Sequence, residues 1–157
     1  MFESERCLIK TLQKKDFVDV KKLFVNPEVR AFLGGIREES SVQTLLEEAL
    51  NYPFCWVARE KHTDAFIGFV SLERHHDGVD QEISYQFLPN WWGKGYATEV
   101  VGVILNYALE ELNLTKVVAE TQTANKASCK LLVRLGMKVE RTIIRFGEKQ
   151  AIYFIQK

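Results

Sequence analysis

The chain has 157 residues and equal numbers of Lys+Arg and Asp+Glu, 21 of each, which is enough length for one continuous core without a metal or disulfide. That balance argues against a domain whose main task is gripping a nucleic-acid backbone, and Cys7, Cys55 and Cys129 lack the spacing of a disulfide framework or a thiolate zinc site. No charged leader followed by an apolar segment opens the chain, and no apolar run approaches the roughly 20 residues that span a bilayer, so the expectation is one cytoplasmic domain over residues 1–157 with neither a nucleic-acid nor a membrane partner.

Residues 7–13, CLIKTLQ, alternate apolar and polar side chains and predict a strand. A helix follows with Phe17, Val20 and Phe24 on one face, interrupted at Pro27, and Gly34-Gly35 closes the region. Ser40 and Gln43 have capping-box spacing, and Val42, Leu45, Leu46, Ala49 and Leu50 recur with helical period, so a second helix is expected from Ser40. Residues 54–60, 66–74 and 80–88 predict a three-stranded antiparallel meander, with Asp77-Gly78 as a turn signal.

PNWWGKGYAT, residues 89–98, precedes the strongest periodic signal in the chain, Ala97, Val100, Val101, Ile104, Leu105, Ala108, Leu109 and Leu112. KVVAETQ (116–122) predicts a strand, 125–135 a helix ended by Gly136, and 138–146 and 150–156 two closing strands. The pattern predicts an α+β domain with a mixed sheet. If the strands at 80–88 and 116–122 lie parallel, the glycine turn falls at the carboxyl end of the first, where ligands bind in strand-helix-strand units.

Glycines let a ligand approach the main chain, and a helix start leaves N–H groups without partners, so the turn suits an anion. Two familiar phosphate motifs fit poorly. Gly93-Lys94-Gly95 lacks the spacer and terminal hydroxyl of a P-loop, and Thr98 stands where a dinucleotide fingerprint needs Gly or Ala, although Glu120 falls near the distance of a ribose-binding acid.

The order of elements, WWGKGYATEVV at the helix start and NKASCKLLVRLGM further on resemble the GNAT superfamily of acyl-CoA-dependent N-acetyltransferases. Within it they are most similar to the branch that includes the ribosomal-protein N-terminal acetyltransferases. The resemblance implies a mixed, mostly antiparallel central sheet flanked by helices, with one parallel pair that splays apart. It also implies acetyl-CoA as cofactor, with the diphosphate held by the main chain around Trp92, Gly93, Lys94, Gly95, Tyr96, Ala97 and Thr98 and by the positive helix end. Trp91 and Trp92 would wall this loop. The family loop begins with Gln or Arg where this chain has Asn90.

The pantetheine arm would pair with the edge of the strand carrying Phe87 and Leu88, and an N–H of one of these would polarise the thioester carbonyl. Asn125 matches the position that bonds the arm, and the charges of Lys94, Lys126 and Lys130 would suit the nucleotide phosphates. Glu82, then Glu120, are the candidate bases for the amine proton. Leu132 occupies the place where many relatives carry a proton-donating tyrosine, so that role is vacant or passes to Ser128 or Tyr96, Ser128 being favoured.

These residues have plainer readings too. Asn125 suits a helix N-cap, the tryptophans suit packing, Lys94, Lys126 and Lys130 suit a solvated face, and Cys129 an ordinary thiol. His75-His76-Asp77 cannot converge on one ion without distant partners, so no metal is expected. The expected activity is direct acetyl transfer to a small amine or a protein N-terminus. A non-catalytic CoA-sensing module and an ATP- or NAD-dependent enzyme are the alternatives, and the assembly, a homodimer included, is left open.

Overall fold

Alternation and helical period translate into elements much as the sequence predicts, and the computed structural model describes residues 1–157. In chain order these are β1 (Phe2–Glu3), β2 (Cys7–Thr11), α1 (Phe17–Phe24), α2 (Pro27–Arg30), α3 (Glu39–Ala49), β3 (Cys55–Glu60), β4 (Phe66–Arg74) and β5 (Gln81–Phe87). There follow α4 (Tyr96–Glu110), β6 (Lys116–Gln122), α5 (Lys126–Arg134), β7 (Lys138–Arg145) and β8 (Glu148–Gln156). The strands bond in the order β1-β2-β3-β4-β5-β6-β8-β7, and β5–β6 is the parallel pair of a mostly antiparallel sheet. The chain divides into two compact units, Met1–Ser71 with Tyr85–Val100, and Leu72–Ser84 with Val101–Lys157.

In the first unit α1 and α3 turn their apolar stripes onto one core. Phe17, Val20, Leu23 and Phe24 of α1 and Val42 and Leu46 of α3 cluster with Leu12, Cys55, Val57, Phe66 and Phe69. Each such side chain contributes about 1.5–3 kcal/mol on burial. Beside this core Arg59 bonds both Asp16 and Asp19 at 2.9 Å.

Two local expectations need correction. α3 begins at Glu39 with Glu38 as its N-cap, so Ser40 lies inside the helix, where its carbonyl accepts from Thr44 Oγ1 at 3.1 Å. Pro27 opens α2 rather than merely interrupting α1: a missing N–H costs nothing at the first helical position, and Asn26 Oδ1 accepts from Glu28 and Val29 N–H.

Gly68 on β4 sets how closely β5 approaches. A Cβ there would stand 2.4 Å from Phe87 Cδ1 and 2.5 Å from the Gln86 carbonyl oxygen, contacts no real side chain tolerates. Only glycine lets β4 carry the end of β5 so near.

In the second unit β6 pairs with β8 along its whole length, from Lys116↔Gln156 to Gln122↔Gln150, and β8 with β7. The parallel ladder between β5 and β6 is much shorter, Gln81↔Val117 and Glu82↔Val118. The apolar face of α5 buries Leu131 and Leu132, while Val101, Ile104, Leu105 and Ala108 of α4 are buried along one side as their spacing predicts.

Candidate active site

The first unit contains the glycine turn. Gly93 and Gly95 have φ of +71° and +84°, left-handed values that cost other residues about 1–2 kcal/mol. The Trp91, Trp92 and Glu99 amides bond the carbonyls of Leu88, Pro89 and Gly95, whereas those of Gly93, Lys94 and Gly95 make no backbone bond. The first-turn amides of α4 at Tyr96, Ala97 and Thr98 have no intrahelical acceptor by geometry. A Cβ on Gly93 would meet no protein atom within 4 Å, while one on Gly95 would stand 3.3 Å from Arg6 Nη2, so the turn is open at Gly93 and flanked by a guanidinium at Gly95. Unbonded donors at a helix start beside a positive charge fit a diphosphate.

Arg6 completes this corner, and the sequence reading did not single it out. Its Nη1 donates to the Lys94 carbonyl at 3.0 Å, its guanidinium lies 3.8 Å from the centroid of the Tyr96 ring, and its Nε donates to Glu99 Oε1 at 2.9 Å. Glu99 Oε2 also accepts from the Arg6 amide at 2.8 Å and from Ser4 Oγ. Burial pushes the Glu99 pKa up, and these hydrogen bonds outweigh it and hold the carboxyl below its ordinary value. Lys94 folds back to donate to the Asn90 carbonyl at 2.9 Å.

The tryptophans divide their work. Trp91 packs edge-on against Tyr96 with ring centroids 4.9 Å apart. Trp92, its ring partly exposed, donates from Nε1 to the Phe87 carbonyl at 2.8 Å, so it caps the end of β5 as well as flanking the turn. The Leu88 amide donates to the Ile67 carbonyl of β4 at 3.0 Å and is therefore taken. Successive strand amides point to opposite edges, which directs the Phe87 amide away from β4.

The second unit holds the other predicted residues. Asn125 is the N-cap of α5, its Oδ1 accepting from the Ser128 amide at 3.2 Å. Ser128 and Cys129 sit half-buried in the first turn and Lys130 is exposed. All three cysteines are free thiols, and burial pushes Cys7 up to about 11.

Glu82 and Glu120 lie on the paired strands β5 and β6, in contrasting settings. Burial raises the Glu82 pKa, reinforced by the Glu120 charge and opposed by His75. Burial also pushes Glu120 up, but hydrogen bonds from His75, His76 and Arg145 prevail and hold it below its ordinary value. Its Oε1 meets Nε2 of both histidines at 2.7 Å and its Oε2 accepts from Arg145 Nη1 at 3.1 Å. Glu120 is thus the distant partner that His75 and His76 lacked in the sequence. Two strands and a turn far apart along the chain build this cluster, so no local spacing could reveal it.

With this geometry in place, comparison with known proteins gives the class. The chain matches the acetyltransferase (GNAT) domain family over residues 6–138. It is similar to two Bacillus subtilis (strain 168) proteins. The uncharacterized protein YkkB is 27% identical over 139 residues, 83% of this chain and 80% of that protein. The uncharacterized N-acetyltransferase YoaA is 25% identical over 159 residues, covering 93% and 87%.

Among solved structures, a GNAT-family acetyltransferase from Bacillus anthracis superposes with a TM-score of 0.88 at 21% identity, covering 98% of this chain and 96% of that one. Spermidine N-acetyltransferase from Vibrio cholerae, in complex with CoA and spermine, gives 0.83 at 17%, covering 96% and 95%. Ribosomal-protein-S5-alanine acetyltransferase from Vibrio fischeri gives 0.80 at 21%, covering 99% and 95%. The chain belongs to the GNAT acetyltransferase family and is an acyltransferase of the N-acetyltransferase type. No helix is long and apolar enough to cross a membrane.

Proposed function

We propose that the protein moves an acetyl group from acetyl-CoA to a primary amine, a small amine or a protein N-terminus, by direct attack within a ternary complex. The observation that carries this reading is the row of unbonded amides at Gly93, Lys94 and Gly95 at the start of α4. Free amides at a helix start suit an anion, and membership of an acetyltransferase family supports reading that anion as the cofactor's diphosphate. Acetyl-CoA, when bound, supplies an acetyl group activated as a thioester.

The chain's own residues divide the remaining tasks. The amides from Gly93 to Thr98 hold the diphosphate, with Arg6 and Lys94 as nearby positive charge. The Phe87 amide, directed away from β4, is the donor for the thioester carbonyl. Asn125 keeps Nδ2 for the pantetheine arm after Oδ1 is used in the cap, the exposed Lys130 offers a positive charge for the phosphates, and Ser128 donates a proton to the departing thiolate.

An amine must lose a proton to attack, since free amines are largely protonated at neutral pH. Glu82 takes this proton. Its burial makes it a stronger base than an ordinary carboxylate, whereas both Glu120 oxygens are already engaged. The family match runs through both compact units, which supports reading 1–157 as one functional domain.

Two structural neighbours, one named for spermidine and one for an alanine of ribosomal protein S5, support the two kinds of acceptor proposed. Release of free thiol from acetyl-CoA with spermidine and with short peptides as acceptors tests the reading. Glu82→Gln should lower kcat by about 10²–10⁴-fold while acetyl-CoA affinity stays within about twofold. Unaltered kcat in that variant would move the base elsewhere, and CoA binding without turnover of any amine would favour a sensing module.

A further inference from the structure

The second unit contains a convergence of ligand atoms that acetyl transfer does not use. β4 ends at Arg74, and the chain turns through His75–Asp80, closed by His75 N–H to the Asp80 carbonyl at 2.8 Å. In an extended strand adjacent side chains face opposite sides. Here the turn swings both rings together, with centroids 4.0 Å apart. Both present Nε2 to the same oxygen, Glu120 Oε1, at 2.7 Å, and the three potential ligand atoms lie within 4.8 Å of one another.

The surroundings orient each member. His75 Nδ1 lies 3.1 Å from Asp77 Oδ2, which is itself held by Arg141 Nη2 at 3.0 Å. The Asp77 amide also approaches Nδ1, at 3.4 Å. With Nδ1 turned to Asp77, Nε2 is the nitrogen left toward Glu120: it donates to Oε1 in the metal-free protein, and a metal ion would take the place of that proton, with Asp77 as the outer carboxylate that aligns the imidazole. Arg145 occupies Glu120 Oε2 and leaves Oε1 toward the rings. The His75 and Glu120 side chains are 0% and 5% exposed, and His76, at 36%, opens the cluster to solvent.

We propose that His75 Nε2, His76 Nε2 and Glu120 Oε1 bind a first-row divalent transition-metal ion, with Asp77 and Arg145 orienting the ligands. Two imidazoles and one carboxylate are a donor set for Zn²⁺, Co²⁺ or Ni²⁺, whereas Mg²⁺ and Ca²⁺ require oxygen ligands. Metal–ligand bonds of about 2.0–2.2 Å in a tetrahedral site place ligand atoms roughly 3.3–3.6 Å apart. The two 2.7 Å contacts therefore need to open by about 0.6–0.9 Å, and His76, the more exposed ring, has the freedom to move. The ion would tie the β4–β5 turn to β6. This inference is independent of the acetyl-transfer reading.

The test is calorimetric titration of the full chain, stripped with a chelator, with Zn²⁺ and separately with Mg²⁺, alongside thermal unfolding. Expected are one equivalent of bound Zn²⁺, a higher Tm with Zn²⁺ but not Mg²⁺, and affinity at least about tenfold weaker in His76→Ala and in Glu120→Gln. His76→Ala removes an exposed ring and serves should Glu120→Gln fail to fold. Cys129→Ser should bind Zn²⁺ as the parent does. Absence of saturable binding near one equivalent, undiminished affinity in His76→Ala, or loss of binding in Cys129→Ser would overturn the proposal.

Discussion

Gly93 and Gly95 separate a ligand-binding turn from a merely shaped one. Alanine at position 93 meets no protein atom, so its cost to the free protein is the strain of a left-handed φ, about 1–2 kcal/mol. Alanine at position 95 also places its Cβ 3.3 Å from Arg6 Nη2. If the turn holds a diphosphate, both variants should weaken acetyl-CoA binding by about tenfold or more, read by calorimetry. A turn that only reverses the chain would lower Tm and leave the affinity of the folded protein unaltered. The glycines were legible in the sequence because their conformational meaning is local. Arg6 was not: its partner Glu99 lies 93 residues away, and a lone arginine carries no spacing signal.

At the scale of elements, the Glu99 carboxylate ties the segment between β1 and β2 to the first turn of α4, through Ser4 and both the backbone and side chain of Arg6. Its pKa is depressed in the folded protein, so its contribution is present in full above the unfolded value of about 4.3 and is lost as pH falls through the folded value. Parent and Glu99→Gln should therefore differ by about 2 kcal/mol near neutrality, and the gap should close in acid, as urea unfolding at a series of pH values would reveal. A constant gap would mean the glutamate acts through packing instead. Helix faces were the most legible elements, since Val20, Phe24, Val42, Leu46, Ile104 and Leu132 all became buried. Helix starts were less so, because Ser40 and Glu38 compete for one cap and a capping pattern does not decide between neighbouring residues.

For the molecule as a whole, the parallel relation of β5 and β6 was suggested by a helix separating two strands, whereas the placement of β8 between β6 and β7 had no signal in the sequence. The early end of that pairing was legible only through the family resemblance, because residues 83–87 have the same strand character as Gln81 and Glu82. The Glu120 cluster was hidden for a related reason: it forms only once β6 is placed beside β5. Family membership and a phosphate-ready turn converge on one central claim, that the turn before α4 grips CoA.

That claim is tested most directly by thermal unfolding in the presence of acetyl-CoA, CoA, ATP and NAD, each at the same concentration. A ligand at about 100 times its Kd stabilises the folded state by roughly 2.7 kcal/mol. The account predicts a clear rise in Tm with acetyl-CoA and CoA and much smaller shifts with ATP and NAD. No shift with either CoA species, or a larger one with ATP or NAD, would contradict it.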